Sequence, residues 1–470
     1  MAIATRQEHD LLGYREVPID AYYGIQTLRA FENFTISGVR LHQFSPFIQA
    51  LATVKKAAAI ANNKVGVLNS TVQEAIVAAC DDLIDNKYHD QFIVDMFQGG
   101  AGTSTNMNAN EVIANRALEI LGHKKGDYQY VHPNNDVNLS QSTNDAYPTA
   151  MKIALDDYCV RLLDKMEILY NSLKNKSVEL ADKLKMGRTH LQDAVPMTAG
   201  QEFDAFATMI KKEMTHIEST RALFHEINMG GTAIGTGLNA PVGYSEACAQ
   251  TLEALTGRPY YIANDLIEAT QDTSAYVVLS GNLRLLAARL SKIANDLRLQ
   301  SSGPRAGLAQ YRLPEMQPGS SIMPGKINPV IPEVVNQTCF HVIGIDTAIV
   351  MASESGQLQL NVFEPVMAFN LFTGMSMLAN VCEVFATRCI NGLVMNNEAC
   401  RIQVFNNIGL VTALNPHLGY ESSSYVAKKA QETGGSVYDI VLGEKLMSKE
   451  TLDYVLSPAN MVYPKVKLMP

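Results

Sequence analysis

The residues best suited to chemistry stand together in Gln317-Pro-Gly-Ser-Ser-Ile-Met-Pro-Gly-Lys-Ile-Asn-Pro-Val-Ile-Pro-Glu333. Ser320, Ser321, Lys326 and Asn328 place two hydroxyls, an ammonium and an amide in one short span. Pro318, Pro324, Pro329 and Pro332 exclude regular helix or strand pairing, while Gly319 and Gly325 permit backbone angles that other residues resist. A polar loop must pair such groups or leave them for a ligand. The segment reads either as a solvated hinge or as a lid carrying a base and an anion clamp. A helical pattern resumes after Pro332.

Three further polar loops precede it. Gln98 to Asn115 is glycine-rich and enters a helix, with Thr103 or Ser104 expected as the cap. Free N–H groups at a helix start bind anions, but the Gly-Lys-Ser/Thr ending of a phosphate loop is missing, so a carboxylate suits it better. An ordinary capped helix start is the other reading. His132 to Asp145 ends in Ser142, Thr143 and Asn144, short donors that serve either a ligand or a cap, with Asp145 near the positive helix end. In Lys185 to Pro196, a bend bounded by glycine and proline holds Arg188, Thr189 and His190, and its lone histidine is open to a structural or a catalytic reading. A fourth glycine loop, Gly230 to Gly237, lacks a preceding strand and a third glycine in register, which argues against a dinucleotide site.

Long helices must position these loops. Short helices are expected over 46–65 and 70–86. Leu155, Cys159, Leu162, Met166, Leu169 and Leu173 step by fours and threes, as do Leu279, Leu283, Leu286, Leu290, Ile293 and Leu297. Phe203, Phe206, Ile210, Met214 and Ile217 continue the style, and 335–351 is another apolar helix. Such spans predict a long bundle that associates with copies of itself. Beyond Met395, Asn415 to Tyr420, Thr433 to Gly435 and Ser457-Pro458 are expected to separate short helices. The expected division is 1–141, 142–396 and 397–470.

The 470 residues carry a net charge of -9 and a pI near 5.6, which argues against nucleic acid or a membrane surface as partner. No apolar run of spanning length and no signal-peptide core is read, so a cytoplasmic protein is expected. Seven scattered cysteines never form Cys-x-x-Cys and read as structural thiols; ten histidines show no ligand spacing, so no metal site is expected. Loops rich in hydroxyls and amides suit a small, doubly carboxylated molecule.

Gly319-Ser-Ser-Ile-Met-Pro-Gly-Lys-Ile-Asn-Pro329 resembles the signature of the aspartase/fumarase superfamily of lyases. The other three loops match its signature regions in order, and the resemblance runs from about Asp10 to Pro458. Gly99-Gly-Ala-Gly-Thr-Ser104, Gln141-Ser-Thr-Asn-Asp145 and Asn328-Pro-Val-Ile-Pro-Glu-Val-Val-Asn-Gln337 are similar to the aspartase branch, where fumarases typically show Thr-Gly-Ser-Gly-Thr-Gln, Ser-Ser-Asn-Asp and Asn-Pro-Thr-Gln. Tyr22-Tyr-Gly24 and Arg29-Ala-Phe-Glu-Asn-Phe34 also resemble aspartases.

The resemblance implies a mainly α, three-domain fold whose central long-helix bundle forms a homotetramer core, with each active site gathering loops from three subunits. It implies elimination of ammonia from L-aspartate to fumarate through an enediolate, without external cofactor. Ser320 and His190 are the implied catalytic residues, Ser320 as the base. Thr103, Ser142, Thr143 and Ser321 would donate to the β-carboxylate, and Thr189, Lys326 and Asn328 would hold the α-carboxylate. Asn144 and His190 would contact the amino group, and Met323 joins the substrate-binding set. Some aspartases carry glutamine at the position of His190.

Overall fold

The computed structural model describes residues 4–462. A hairpin of β1 (Thr5–Asp10) and β2 (Gly13–Pro18) precedes helices α1 (Ile25–Asn33), α2 (Ser45–Lys64), α3 (Ser70–Ile84) and α4 (Thr103–Ile120). Asn69 caps α3 by accepting from the Val72 N–H at 2.9 Å, the kind of contact that satisfies an orphan donor of the first turn. Then come α5 (Thr143–Glu179), the antiparallel pair β3 (Leu184–Thr189) and β4 (Gln192–Thr198), α6 (Ala199–Arg221), β5 (Glu226–Ile227), α7 (Tyr244–Thr256), β6 (Tyr261–Ile262) and α8 (Leu266–Gln271). The chain continues through α9 (Ser274–Gln300), β7 (Tyr311–Arg312), α10 (Val330–Glu354), α11 (Glu364–Phe385), β8 (Val394–Met395) and α12 (Asn397–Phe405). It closes with α13 (Val411–Thr433), α14 (Val437–Gly443), α15 (Lys449–Val455) and α16 (Pro458–Met461). Every sheet among the described residues has two strands, so the fold is mainly α.

The predicted seams are where the core lies. Leu155, Cys159, Leu162, Met166, Leu169 and Leu173 of α5 are fully buried, and so are Leu279, Leu286, Leu290, Ile293 and Leu297 of α9. The apolar side chains of one stripe leave water together, which holds a helix of this length in place more than propensity does. All seven cysteines are free and buried, in keeping with small apolar side chains.

Contacts divide the chain into two compact units. One comprises Met1–Leu163, Thr215–Leu285 and His341–Met377. Its core holds an aromatic cluster in which Phe47 meets Tyr147 edge-on at 5.3 Å and Phe372 stacks on Tyr158 at 5.0 Å. The other comprises Asp164–Met214, Leu286–Phe340 and Leu378–Pro470. There Met186 of β3 packs with Val404, Leu410, Leu414, Val426 and Val441, so the hairpin is seated on the carboxy-terminal helices.

Several expectations need correction. The bend at 185–196 is a β-hairpin, because His190 and Leu191, at φ +54 and +65, turn the chain between two strands as a two-residue loop. α10 begins at Val330 and not after Pro332, since a proline in the first turn removes an N–H that has no helical partner anyway. Asn415 to Tyr420, by contrast, does separate two helical stretches within α13, because Gly419, at φ +77 and ψ +166, leaves the helical region in a way that suits glycine. Among the described residues, two helices are long enough and, at a mean hydropathy of 1.3, apolar enough to cross a membrane, contrary to the sequence reading: α10 (Val330–Glu354), and α11 with the π-helical turn Ala386–Ile390 that continues it. The second is 67% buried inside the protein, as a core helix is. On α10, by contrast, Phe340 and Met351 stand 61% and 63% exposed.

Candidate active site

The first unit holds Thr103, Ser142, Thr143 and Asn144. Neither Thr103 nor Ser104 caps α4. Gly102 is the capping residue, at φ +91, and a Cβ there would lie 2.4 Å from the Tyr147 ring. Thr103 is instead the first helical residue, exposed, with its Oγ1 donating to the Gly100 carbonyl at 2.7 Å. The Gln98 side chain accepts from the Thr105 N–H and hydroxyl, so one amide of the first turn is already paired within the protein.

Ser142 and Asp145 form a reciprocal cap at the start of α5. The Ser142 Oγ accepts from the Asn144 N–H at 3.1 Å, and the Asp145 carboxylate accepts from the Ser142 N–H at 2.9 Å. An accepting hydroxyl retains its own hydrogen, so Ser142 can still donate to a ligand. The other Asp145 oxygen accepts from the N–H groups of Gly230 and Thr232 at 3.1 and 3.0 Å. Burial pushes the Asp145 pKa up to about 6, while these backbone donors pull it down, so it is charged at neutral pH.

Pro148 lies inside α5 and cannot donate to the carbonyl of Asn144 four residues earlier. Asn228 takes over, its Nδ2 donating to that carbonyl at 2.9 Å, and the Asn144 amide in turn donates to the Ala233 carbonyl at 2.7 Å. The 230–237 loop is thus the buttress that aims Asn144, a role that its glycine spacing did not reveal.

Lys55 is the buried polar residue beside these loops most plainly missed from sequence. Fully buried on α2, its Nζ donates to the side-chain oxygens of Asn138 and Gln141 at 3.0 and 2.8 Å. The same Asn138 oxygen accepts from Asn106 and Asn110 of α4 at 3.0 and 3.1 Å. One amide therefore ties the helix that starts at Thr103 to the loop that ends at Ser142. Burial draws the Lys55 pKa down to about 7, with the Asp145 charge opposing that shift. A lysine in an alanine-rich helix gave no signal of this, because its partners lie more than 80 residues away.

The second unit holds Thr189, His190, Ser320, Ser321, Met323, Lys326 and Asn328. Thr189 and His190 are exposed at the hairpin tip. A non-glycine residue with positive φ costs about 1–2 kcal/mol, so the backbone at His190 is held in place by its strands.

In the 319–328 loop, the half-buried Ser320 Oγ accepts from the N–H groups of Ile322 and Met323 at 3.2 and 3.0 Å. Two amide donors aimed at one hydroxyl oxygen favour negative charge there. The loop is closed at its base. The Gly319 N–H donates to the Lys326 carbonyl at 2.8 Å, and the Asn328 Nδ2 donates to the Gly319 carbonyl at 2.7 Å. A Cβ on Gly319 would sit 2.4 Å from the Lys326 oxygen, so only glycine allows this approach. Ser321, Met323 and Lys326 are exposed, and Ser320, Met323 and Lys326 help to line a cavity of about 500 Å³. Among the described residues, no group of three or more His, Cys, Asp or Glu is placed to hold a metal ion.

Comparison with known proteins gives the family. Residues 13–344 match the family described as Lyase, and residues 410–463 match the fumarase C carboxy-terminal family. Aspartate ammonia-lyase of Helicobacter pylori is 55% identical over 459 residues, covering 98% of each chain. Aspartate ammonia-lyase of Escherichia coli is 53% identical over 468 residues, 99% of this chain and 98% of that one. Among solved structures, a fumarate lyase:delta crystallin from Brucella melitensis bound to cobalt superposes with a TM-score of 0.96 at 51% identity, covering 98% of this chain and all of its own. A class II fumarase from Schistosoma mansoni gives 0.92 at 34% identity, with 98% of this chain and all of that one covered. With its four loops in order and its full length matched, the chain belongs to the aspartate ammonia-lyase family within the aspartase/fumarase superfamily.

Proposed function

We propose that the protein is a carbon–nitrogen lyase that removes ammonia from L-aspartate to give fumarate, with Ser320 as the base. The carrying observation is the Ser320 hydroxyl, whose oxygen accepts two backbone N–H groups in a loop that also presents Lys326. A serine hydroxyl is too weakly acidic to act as a base unaided, and donors to its oxygen are what lower its pKa.

The hard step is loss of the C3 proton, which leaves a second negative charge on the β-carboxylate. Thr103, Ser142, Thr143 and Ser321 are proposed to donate to that enediolate. One such fixed donor is commonly worth about 3 kcal/mol of transition-state stabilisation. Ser142 has its hydrogen available in the observed geometry, whereas Thr103 must rotate away from Gly100. Lys326, Asn328 and Thr189 would hold the α-carboxylate, and Asn144 and His190 the amino group, so that the C–H and C–N bonds align. Asn328 spends one N–H on Gly319 and keeps the other for substrate. Met323 contributes through its backbone N–H to Ser320.

Thr103 and Ser142 to Asn144 lie in one compact unit and the remaining site residues in the other. We propose a homotetramer, with each site drawing loops from three subunits and the 142–396 segment as the bundle between 1–141 and 397–470. The exposed apolar side chains of α10, among them Phe340 and Met351, support burial against other copies. A cytoplasmic location and independence from external cofactors belong to the same reading.

The test is fumarate absorbance from purified protein given L-aspartate or L-malate. Fumarate from aspartate alone supports the reading; fumarate from malate alone replaces it with hydratase chemistry. Ser320→Ala should fold normally and lose at least about 100-fold in kcat, as expected when an essential proton acceptor goes. Retained activity would move the base elsewhere.

A further inference from the structure

We propose that Glu202 is a positioning residue for this reaction, holding the hairpin that carries Thr189 and His190 in register with the stem of the Ser320 loop. The inference rests on the function proposed above.

Lys185, on β3 four residues before Thr189, is 3% exposed. Its Nζ donates to both Glu202 oxygens at 2.8 and 2.7 Å and to the Gln300 side chain. Gln300, the last residue of α9, donates back to Glu202 at 3.1 Å, and the hydroxyl of Tyr311 donates to the other Glu202 oxygen at 2.7 Å. Tyr311 lies on β7, nine residues before Ser320. One carboxylate thus joins the hairpin, the first turn of α6, the end of α9 and the stem.

Main-chain bonds fix the stem itself: Gln310 donates to the Gln300 carbonyl at 2.8 Å, and Asn396 donates to the Gln310 carbonyl at 2.8 Å. Side chains tie the hairpin to it. A second bridge repeats the pattern on the other side of Gly187, where the strand register shifts. Gln403 of α12 accepts from Arg188 at 3.2 Å and from Gln310 at 2.7 Å, and donates to the Leu308 carbonyl at 2.8 Å.

Stability does not explain the choice of residues. A buried ion pair costs desolvation, and apolar residues of similar volume often leave a protein as stable or more so. Directional polar contacts supply what apolar packing lacks, namely one allowed register between two segments. A catalytic group misplaced by about 1 Å can lose about 100-fold in rate.

The experiment compares Glu202→Gln with the double variant Lys185→Met/Glu202→Leu. Readouts are thermal midpoint, kcat and KM for L-aspartate, and hydrogen exchange over 186–192 and 312–328. Glu202→Gln should lower both midpoint and kcat. The double variant should recover part of the midpoint, Tyr311 and Gln300 having lost their partner, yet keep kcat at least about 10-fold down, falling more than KM rises, with faster exchange in both segments. Recovery of kcat together with the midpoint would overturn the proposal and leave the cluster purely structural. If the double variant does not fold, Tyr311→Phe removes one bond to the carboxylate and should lower the midpoint modestly and kcat at least about 10-fold, with faster exchange in both segments; unchanged kcat would overturn the proposal equally. A wild-type protein inactive on L-aspartate refutes the reaction instead, while the exchange readout still tests the register.

Discussion

Substituting Asp145→Asn isolates the cap that supports Ser142, Thr143 and Asn144. In the native protein one carboxylate accepts three backbone N–H groups, from Ser142, Gly230 and Thr232. An amide offers a single acceptor oxygen. If that oxygen keeps Ser142, an NH2 group faces two N–H donors; if it keeps Gly230 and Thr232, the Ser142 N–H loses its acceptor and only the Ser142 hydroxyl still caps α5. Bonds to a charged acceptor contribute about 1.5–3 kcal/mol each, so losing one or two costs about 1.5–6 kcal/mol. That is large beside the roughly 5–15 kcal/mol that holds a typical domain together. The assay is urea unfolding of the wild type and the variant, paired with kcat on L-aspartate. The midpoint should fall clearly, and kcat should drop by about 100-fold as the donors behind the enediolate lose their aim. An unfolding free energy within about 0.5 kcal/mol of wild type, with kcat unchanged, would refute the reasoning, because that is the range of ordinary surface changes.

Two further outcomes follow from close packing and burial. Gly319→Ala should collapse activity without unfolding the protein, since its Cβ would meet the Lys326 carbonyl at 2.4 Å and open the base of the loop; faster proteolysis within 319–328 is the check. Glu364, buried at the start of α11, has its pKa pushed up to about 8 by burial, with Lys152 opposing. The folded state then binds a proton that the unfolded chain, near 4.5, has released, so stability should fall as pH rises between about 4.5 and 8. The change is on the order of 5 kcal/mol, and Glu364→Gln should flatten it in unfolding measured across that range; an unchanged slope would show that other groups carry it.

Much of the fold was legible locally. The seams of α5 and α9 were readable because a helix repeats every 3.6 residues, and their leucines are buried as that period requires. Ser320, Lys326 and Asn328 were readable because prolines and glycines isolate them in one loop. The hairpin at Thr189 and His190 was not, because its turn uses two non-glycine residues with positive φ, a conformation that the strands impose. The cap of α4 was misplaced for a related reason: Thr103 is a good capping residue, but the ring of Tyr147, from another helix, leaves room only for glycine at 102.

The sequence by itself determined the helix periods, the four polar loops and the family they announce, because those signals lie within a few turns of chain. The tertiary structure alone decided which buried groups aim the loops. Lys55 reaches Asn138, Asp145 reaches Gly230, Asn228 replaces the bond that Pro148 cannot make, and Glu202 gathers Lys185 and Tyr311. These partners are distant in sequence, and a buried polar group is compelled to find one wherever the fold brings it.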